Sequence, residues 1–299
     1  MLRNPRDWQA VLYLTAQPLL IIYQWHWGIF WPAYMAVLFL SIGVSSIHHN
    51  HAHLKMWRSR WLNRVTDLWL TLLQGHPTFA FHVTHNANHH QFHHGADDVA
   101  RTYRFGGDTN NLLGYLLHPV QAVRVLAPLF VARLLQWREC RPGVFLYFVL
   151  QYVAVGFLWS ILAFVDWQNW LLVVLLPQLF GLHWLLASNY LQHAHADGRS
   201  RINFARNFEG LINPLLFNAG LHTAHHLHGR SHWSELPELH ERYRKEIDPR
   251  LNERGLVGYI LRTYLLSLIV PGFQSESLMC DQFEIDARRS NDFDAGSSY

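Results

Sequence analysis

The chain has 299 residues and a formal charge of +3; only 15% of its residues are charged, against about 25% in soluble domains, and half are hydrophobic. That balance excludes an ordinary water-soluble domain and gives no reason to expect a nucleic-acid partner. With 13 Trp, 12 Tyr and 18 Phe it points to a membrane protein with interfacial aromatics.

Trp8–Gln24 is apolar and uncharged, about the minimum length for a span, and another apolar segment follows without a small-residue cleavage site. It reads as an uncleaved first helix, not a signal peptide. Gln24-Trp-His-Trp-Gly28 reads as a tight interfacial turn, and Ile29–Ile47 as a second span. Leu54–Gly143 is rich in arginine. Within it Leu62–Phe81 and Leu112–Trp137 are apolar but broken by charges and prolines, and read as interfacial helices. Val144–Val165 and Trp170–Asn189 are the third and fourth spans, joined by the turn Asp166-Trp-Gln-Asn169. Residues 1–282 form one domain, with no linker dividing them, and 283–299 read as a disordered tail. Cys140 and Cys280 make neither a disulfide framework nor a metal-ligand spacing. The expected fold is therefore an all-α integral membrane protein, with spans near 8–24, 29–47, 144–165 and 170–189 forming two hairpins. In that topology all 24 Lys and Arg fall on one side, which the positive-inside rule makes cytoplasmic, along with both termini.

The same side carries an excess of histidine: 22 in the chain, many in three clusters. These are His48-His-Asn-His-Ala-His53, His85-Asn-Ala-Asn-His-His-Gln-Phe-His-His94 and His222-Thr-Ala-His-His226, with Asn189-Tyr-Leu-Gln-His193 closing the fourth span. On an α-helix residues i and i+4 share a face, so His49 with His53, and His85 with His89, are spaced to converge on one metal ion. His222 and His225 are spaced i, i+3. An adjacent histidine, His90 or His226, points about 100° away and is placed for a second ion. Imidazole suits Zn, Cu, Fe and Ni. So many imidazoles exceed the need of zinc and suit two six-coordinate ions with open positions, a non-haem di-iron site. The Glu-x-x-His motif of soluble di-iron bundles and the His-Glu-x-x-His of zinc proteases are both absent.

Taken together these motifs resemble the membrane fatty-acid desaturase/hydroxylase superfamily, which has three histidine boxes and an Asn-x-x-x-His motif on four transmembrane helices under a cytosolic cap. Several stretches resemble its acyl-desaturase branch: His49-Asn-His-Ala-His53, Thr84-His-Asn-Ala-Asn-His-His90, Asn189-Tyr-Leu-Gln-His193, and Asn218-Ala-Gly-Leu-His-Thr-Ala-His-His226 followed by Trp233-Ser-Glu-Leu-Pro237. The resemblance covers about Ser45 to Leu239. It implies nine iron ligands, His49, His53, His85, His89, His90, His193, His222, His225 and His226, and a role for Asn189 in holding an iron-bound water. His48 is an alternate for His49, and His90-Gln-Phe-His93-His94 repeats the third-box spacing, which makes His93 and His94 alternates too.

The implied activity is O₂-dependent oxidation of a fatty acyl chain at two iron ions, introducing a double bond. Hydroxylation, acetylene formation and oxidative decarboxylation to an alkene are same-fold alternatives. A histidine-rich metal transporter is the remote one, because transport needs polar ligands near the bilayer midplane and these spans carry almost none. Asp97, Asp98, Asp197 and Glu209 are candidates to fix ligand tautomers, and His51, His195 and His228 to support the ligands. There is no His-Pro-Gly-Gly motif or cysteine cluster, so electrons are expected from a separate protein of ferredoxin, rubredoxin or cytochrome b5 type.

Overall fold

A computed structural model describes residues 1–78 and 81–279; the tail expected to be disordered, 283–299, lies outside the described residues. The chain is built mainly of helices: α1 (Trp8–Trp27), α2 (Trp31–His53), α3 (Arg60–Gln74), α4 (Leu112–Cys140), α5 (Pro142–Asn169) and α6 (Leu176–His193). Between α3 and α4 runs a π-helical segment, Phe81–His89, continued by one α-turn, His90–Phe92. A cap follows α6. It holds α7 (His222–Leu227), α8 (Leu236–Tyr243) and two short parallel strands, β1 (Asn207–Phe208) and β2 (Asn252–Glu253).

Three helical stretches are long and apolar enough to cross a membrane: Trp31–His53, Leu112–Cys140 and Pro142–His193. This differs from the four expected spans in three ways. The third and fourth join in one 52-residue helical stretch that bends at Asp166, where φ is −159° and ψ 97°. The Asp166 carboxylate accepts from the Gln168 and Asn169 backbone N–H groups and restarts the helix after the bend. The first, α1, is a 20-residue helix that falls short in apolarity because it turns glutamines inward; Gln17 donates to Ser41 Oγ of α2 at 2.9 Å.

Third, Leu112–Cys140, read from sequence as an interfacial helix over Leu112–Trp137, is long and apolar enough to span, and runs unbroken through Pro119 and Pro128. Each proline removes one backbone hydrogen bond, and the helix carries on around it. Both its ends nevertheless lie at the histidine-bearing end of the bundle. At its start the Asn111 backbone N–H donates to Tyr190, three residues before His193. At its finish Trp137 stacks on Phe148, which in turn lies against His82. The turns at Gly28 and Asp166 lie together at the opposite end, where Asn169 donates to the Trp25 carbonyl.

Helix α3 is amphipathic in reverse. Asn63, Thr66, Asp67, Thr71 and Gln74 are buried, whereas Trp61, Val65, Leu68 and Trp69 are exposed. Such a face is stable where the surroundings are apolar, because buried polar groups need partners and outward groups need none. The partners are present. Asp67 takes Lys55 at 2.8 Å and the Tyr147 hydroxyl at 3.0 Å, Thr71 donates to Gln151, and Gln74 accepts from Ser45.

The α1–α2 hairpin depends on a close approach at Gly43, where a Cβ would sit 2.4 Å from Tyr13 Cε1. Tyr13 has no room to yield: its hydroxyl donates to the Leu215 carbonyl and its ring lies edge-on to Phe217. Gly43→Val should therefore destabilise the protein by about 1–3 kcal/mol, read as a lower melting temperature in detergent, while Ala10→Ser on the neighbouring helix should cost less.

Candidate metal centre

Two groups of histidines converge at the head of the bundle. One comprises His49, His53, His85, His90 and His225, the other His89, His193, His222 and His226, and within each the ligand atoms lie within 4.8 Å of one another. All nine histidines named from sequence fall in these two groups. His48, His93 and His94 fall in neither.

The partition differs from the α-helical expectation. His85 and His89 do not share a group; His85 shares one with His90. The segment is π-helical there, with an i→i+5 repeat, so residues five apart lie on one face. In α7 the pair is His222 and His226 at i, i+4, with His225 turned to the other group, instead of His222 with His225. His49 and His53 end α2, and His193 ends α6. Four separate segments thus meet at one place.

In the first group the Nε2 atoms close a ring: His49 to His225 at 2.8 Å, His225 to His90 at 3.1 Å, His90 to His85 at 3.0 Å and His85 to His49 at 3.0 Å. In the second, His222 Nε2 lies 3.1 Å from both His193 Nε2 and His226 Nε2. A neutral ring nitrogen either carries a proton or offers a lone pair, so a closed ring of such contacts is poorly satisfied by hydrogen bonding alone. An ion shared by these nitrogens would satisfy them. Nitrogens about 2.1 Å from one ion lie about 3.0 Å apart at right angles and about 3.4 Å apart at the tetrahedral angle. The five and four imidazoles of the two groups match or exceed the four that a structural zinc takes. An all-imidazole set also excludes magnesium and calcium, which prefer oxygen.

Burial, reinforced by neighbouring rings, holds the imidazoles of His85, His222, His225 and His226 well below the usual histidine range and pushes His90 down to about 2. They are neutral at physiological pH, with lone pairs available to a metal.

Two ligands are oriented from behind. His89 Nδ1 lies 2.6 Å from Asp98 Oδ2, and His193 Nδ1 lies 2.8 Å from the Phe204 carbonyl, which directs each Nε2 to the metal side. Asp98 is fully buried and accepts from the His94 and Ala100 backbone N–H groups. Burial opposes its charge, but His89 and these donors hold its carboxyl below the ordinary range. Of the other acids considered from sequence, Asp197 accepts from the Arg199 backbone within its own loop, Glu209 pairs with Arg244 and with His240, which is in neither group, and the Asp97 backbone carbonyl accepts from Asn88. His51 accepts from the Met56 backbone N–H, His195 meets Ser275, and His228 meets Tyr243.

The alternates have other surroundings. His48 stacks on His76, with ring centroids 5.0 Å apart. The helix stops at Phe92 because His93 and His94 take left-handed backbone angles, φ 42° and 68°. That breaks the helical register which the third-box spacing requires. His93 stacks on Phe204 instead.

A cavity of about 290 Å³ opens beside His49, His85, His89 and His222. Its walls are mainly apolar, from α4 (Ala122, Val123, Leu126) and α6 (Leu182, Leu185, Leu186). Asn189 lines it too. Its amide nitrogen donates to the Ala100 carbonyl at 2.7 Å and lies 3.3 Å from His118 Nε2. His118 is not among the residues that the sequence motifs single out. No local spacing links it to Asn189, 71 residues away.

Asp98→Ala should loosen His89 and weaken metal retention about 10–100-fold, measured as metal per chain after dialysis against graded chelator. Asp97→Ala should leave retention unchanged.

A family model described as fatty acid desaturase matches residues 25–255, a range that holds all nine converging histidines and Asn189. No curated protein matches the chain. On a match covering most of its length, the chain belongs to the fatty acid desaturase family, within the membrane desaturase/hydroxylase superfamily.

Proposed function

We propose that the chain is an O₂-dependent, non-haem di-iron oxidase that introduces a double bond into a fatty acyl chain. The observation that carries this reading is two converging imidazole groups at the head of an apolar cavity. The family supports an oxidoreductase of desaturase or hydroxylase type and the use of iron. His49, His53, His85, His90 and His225 would hold one ion, and His89, His193, His222 and His226 the other. The chemistry such a pair supplies is oxygen activation and removal of hydrogen from unactivated C–H bonds.

The chain's own residues do the rest. Apolar side chains of α4 and α6 bind and straighten the acyl chain, and exclude water from the reacting carbons. Asp98 and the Phe204 carbonyl keep two ligands in one tautomer. The amide nitrogen of Asn189 is committed to Ala100 and His118, and its amide oxygen has no partner among the described residues, as suits a group that holds a water. Desaturation consumes O₂, two electrons and two protons, takes two hydrogens from neighbouring carbons, and yields two waters. The electrons would come from a separate ferredoxin-, rubredoxin- or cytochrome b5-like protein. We place both termini and the histidines on the cytoplasmic side, with α4 lying along that interface, since both its ends are tied to the histidine-bearing end.

Expression in a host lacking the activity, followed by lipid analysis, tests the reaction. New unsaturation is the expected result; saturated hydroxylated lipid or a chain shortened to a terminal alkene would replace desaturation with another outcome of the same site. The purified protein should bind about two iron ions. His89→Ala and His225→Ala, one from each group, should each abolish product and lower bound iron. Full activity in either variant would remove that histidine from the ligand set.

A further inference from the structure

We infer that the hydrocarbon chain reaches the metal site sideways from the bilayer, through a mouth between α4 and α5 bordered by Val123, Ala127 and Tyr152, and not from water on a soluble carrier. The inference rests on the proposed reading of the site as a hydrocarbon-oxidising centre, and narrows its substrate to a membrane-dissolved amphiphile with a fatty chain.

The cavity begins at the histidines and reaches the outer surface of the helices. Val123 and Tyr152 line it, yet they are 47% and 43% exposed. Ala127 also lines it and is exposed. Around these residues the surface is mainly apolar, with Val120 and Val131 of α4 and Leu150 and Val153 of α5 exposed, and Arg124 exposed beside them on α4. Such a surface suits lipid. A mouth set in it admits a chain already dissolved there at little desolvation cost.

The cavity wall also lacks what a charged carrier would need. Among the described residues that line it none is Lys, Arg, Asp or Glu, so no side-chain cation there is placed to pair with a phosphate or a carboxylate. A head group is best left outside while the chain alone enters. The side chains of α4 make the hollow: Ala122 and Ala127 are small, and they lie between Pro119 and Pro128, where the helix lacks backbone hydrogen bonds. Ala127 borders the mouth, so a large side chain at 127 would narrow the passage.

The test uses the full chain, iron-loaded and reconstituted in phosphatidylcholine vesicles with a reducing system. A fatty acid carrying a photoreactive diazirine near its methyl end should label residues 118–130 of α4, and Ala127→Trp should cut both that labelling and turnover at least tenfold. Leu146→Trp, on exposed α5 surface outside the cavity lining, should change neither. Iron content at the wild-type level shows that Ala127→Trp has folded; if it falls, Val123→Phe carries the same test. Isotope-labelled chain is then offered three ways: as free fatty acid in the vesicles, as phospholipid, and as acyl-CoA added from water under conditions that block its hydrolysis. Product from either bilayer-supplied form supports the inference, and the form converted identifies the source. Product from acyl-CoA with Ala127→Trp fully active overturns lateral entry and leaves the oxidase reading standing. A chain that takes up no iron when loaded and converts no form overturns the oxidase reading itself.

Discussion

The structure depends on crowding nine imidazoles into one place, with burial holding eight of them neutral. Protonated rings a few ångströms apart and out of water would repel strongly, and burial already favours the neutral form. Neutral rings still need their nitrogens satisfied, and here the supporting framework matters. The buried Asp98 carboxylate and the Phe204 carbonyl occupy the outer nitrogens of His89 and His193, leaving the inner ones for a metal. Four segments far apart in sequence must end at the same level for this to happen. Helix α2 ends at His53 and α6 at His193, where Leu54 and Ala194 turn to extended backbone.

Much of the site was legible in sequence, because metal ligands leave a local signature. Histidines at short intervals near the ends of apolar segments identify both the residues and their end of the bundle. How they are shared between the two groups was not legible. An α-helical reading pairs His85 with His89, while the chain there winds as a π-helix and pairs His85 with His90. Five-residue periodicity has no compositional mark, since the wider turn is fixed by what packs around it. The contact between His118 and Asn189 was invisible for a related reason. It joins α4 to α6, and only the tertiary packing brings the two side chains together.

The membrane reading shows the same division. Long uncharged runs announce α2, α5 and α6. Interrupted runs are ambiguous, because prolines and single arginines are compatible with an intact helix when neighbours or lipid headgroups accommodate them. Thus α4 continues past Pro119 and Pro128, while its two ends, anchored near Tyr190 and Phe148, say more about its course than its hydropathy does. Its path along the histidine-bearing end also makes it a wall of the cavity, so one helix joins the metal site to the lipid-facing surface.

The inside-out face of α3 has a consequence for assembly. Its buried Asp67 and Thr71 find partners in Tyr147 and Gln151, 80 residues further along the chain. While the nascent chain has emerged only as far as α4, Asp67 has Lys55 beside it but lacks Tyr147, and Thr71 lacks Gln151, so the polar face of α3 is only partly satisfied. Its full set of partners is complete only once α5 is in place. Because α3 leads directly into the segment that carries His85, His89 and His90, the histidine groups come together late, after most of the bundle has been inserted.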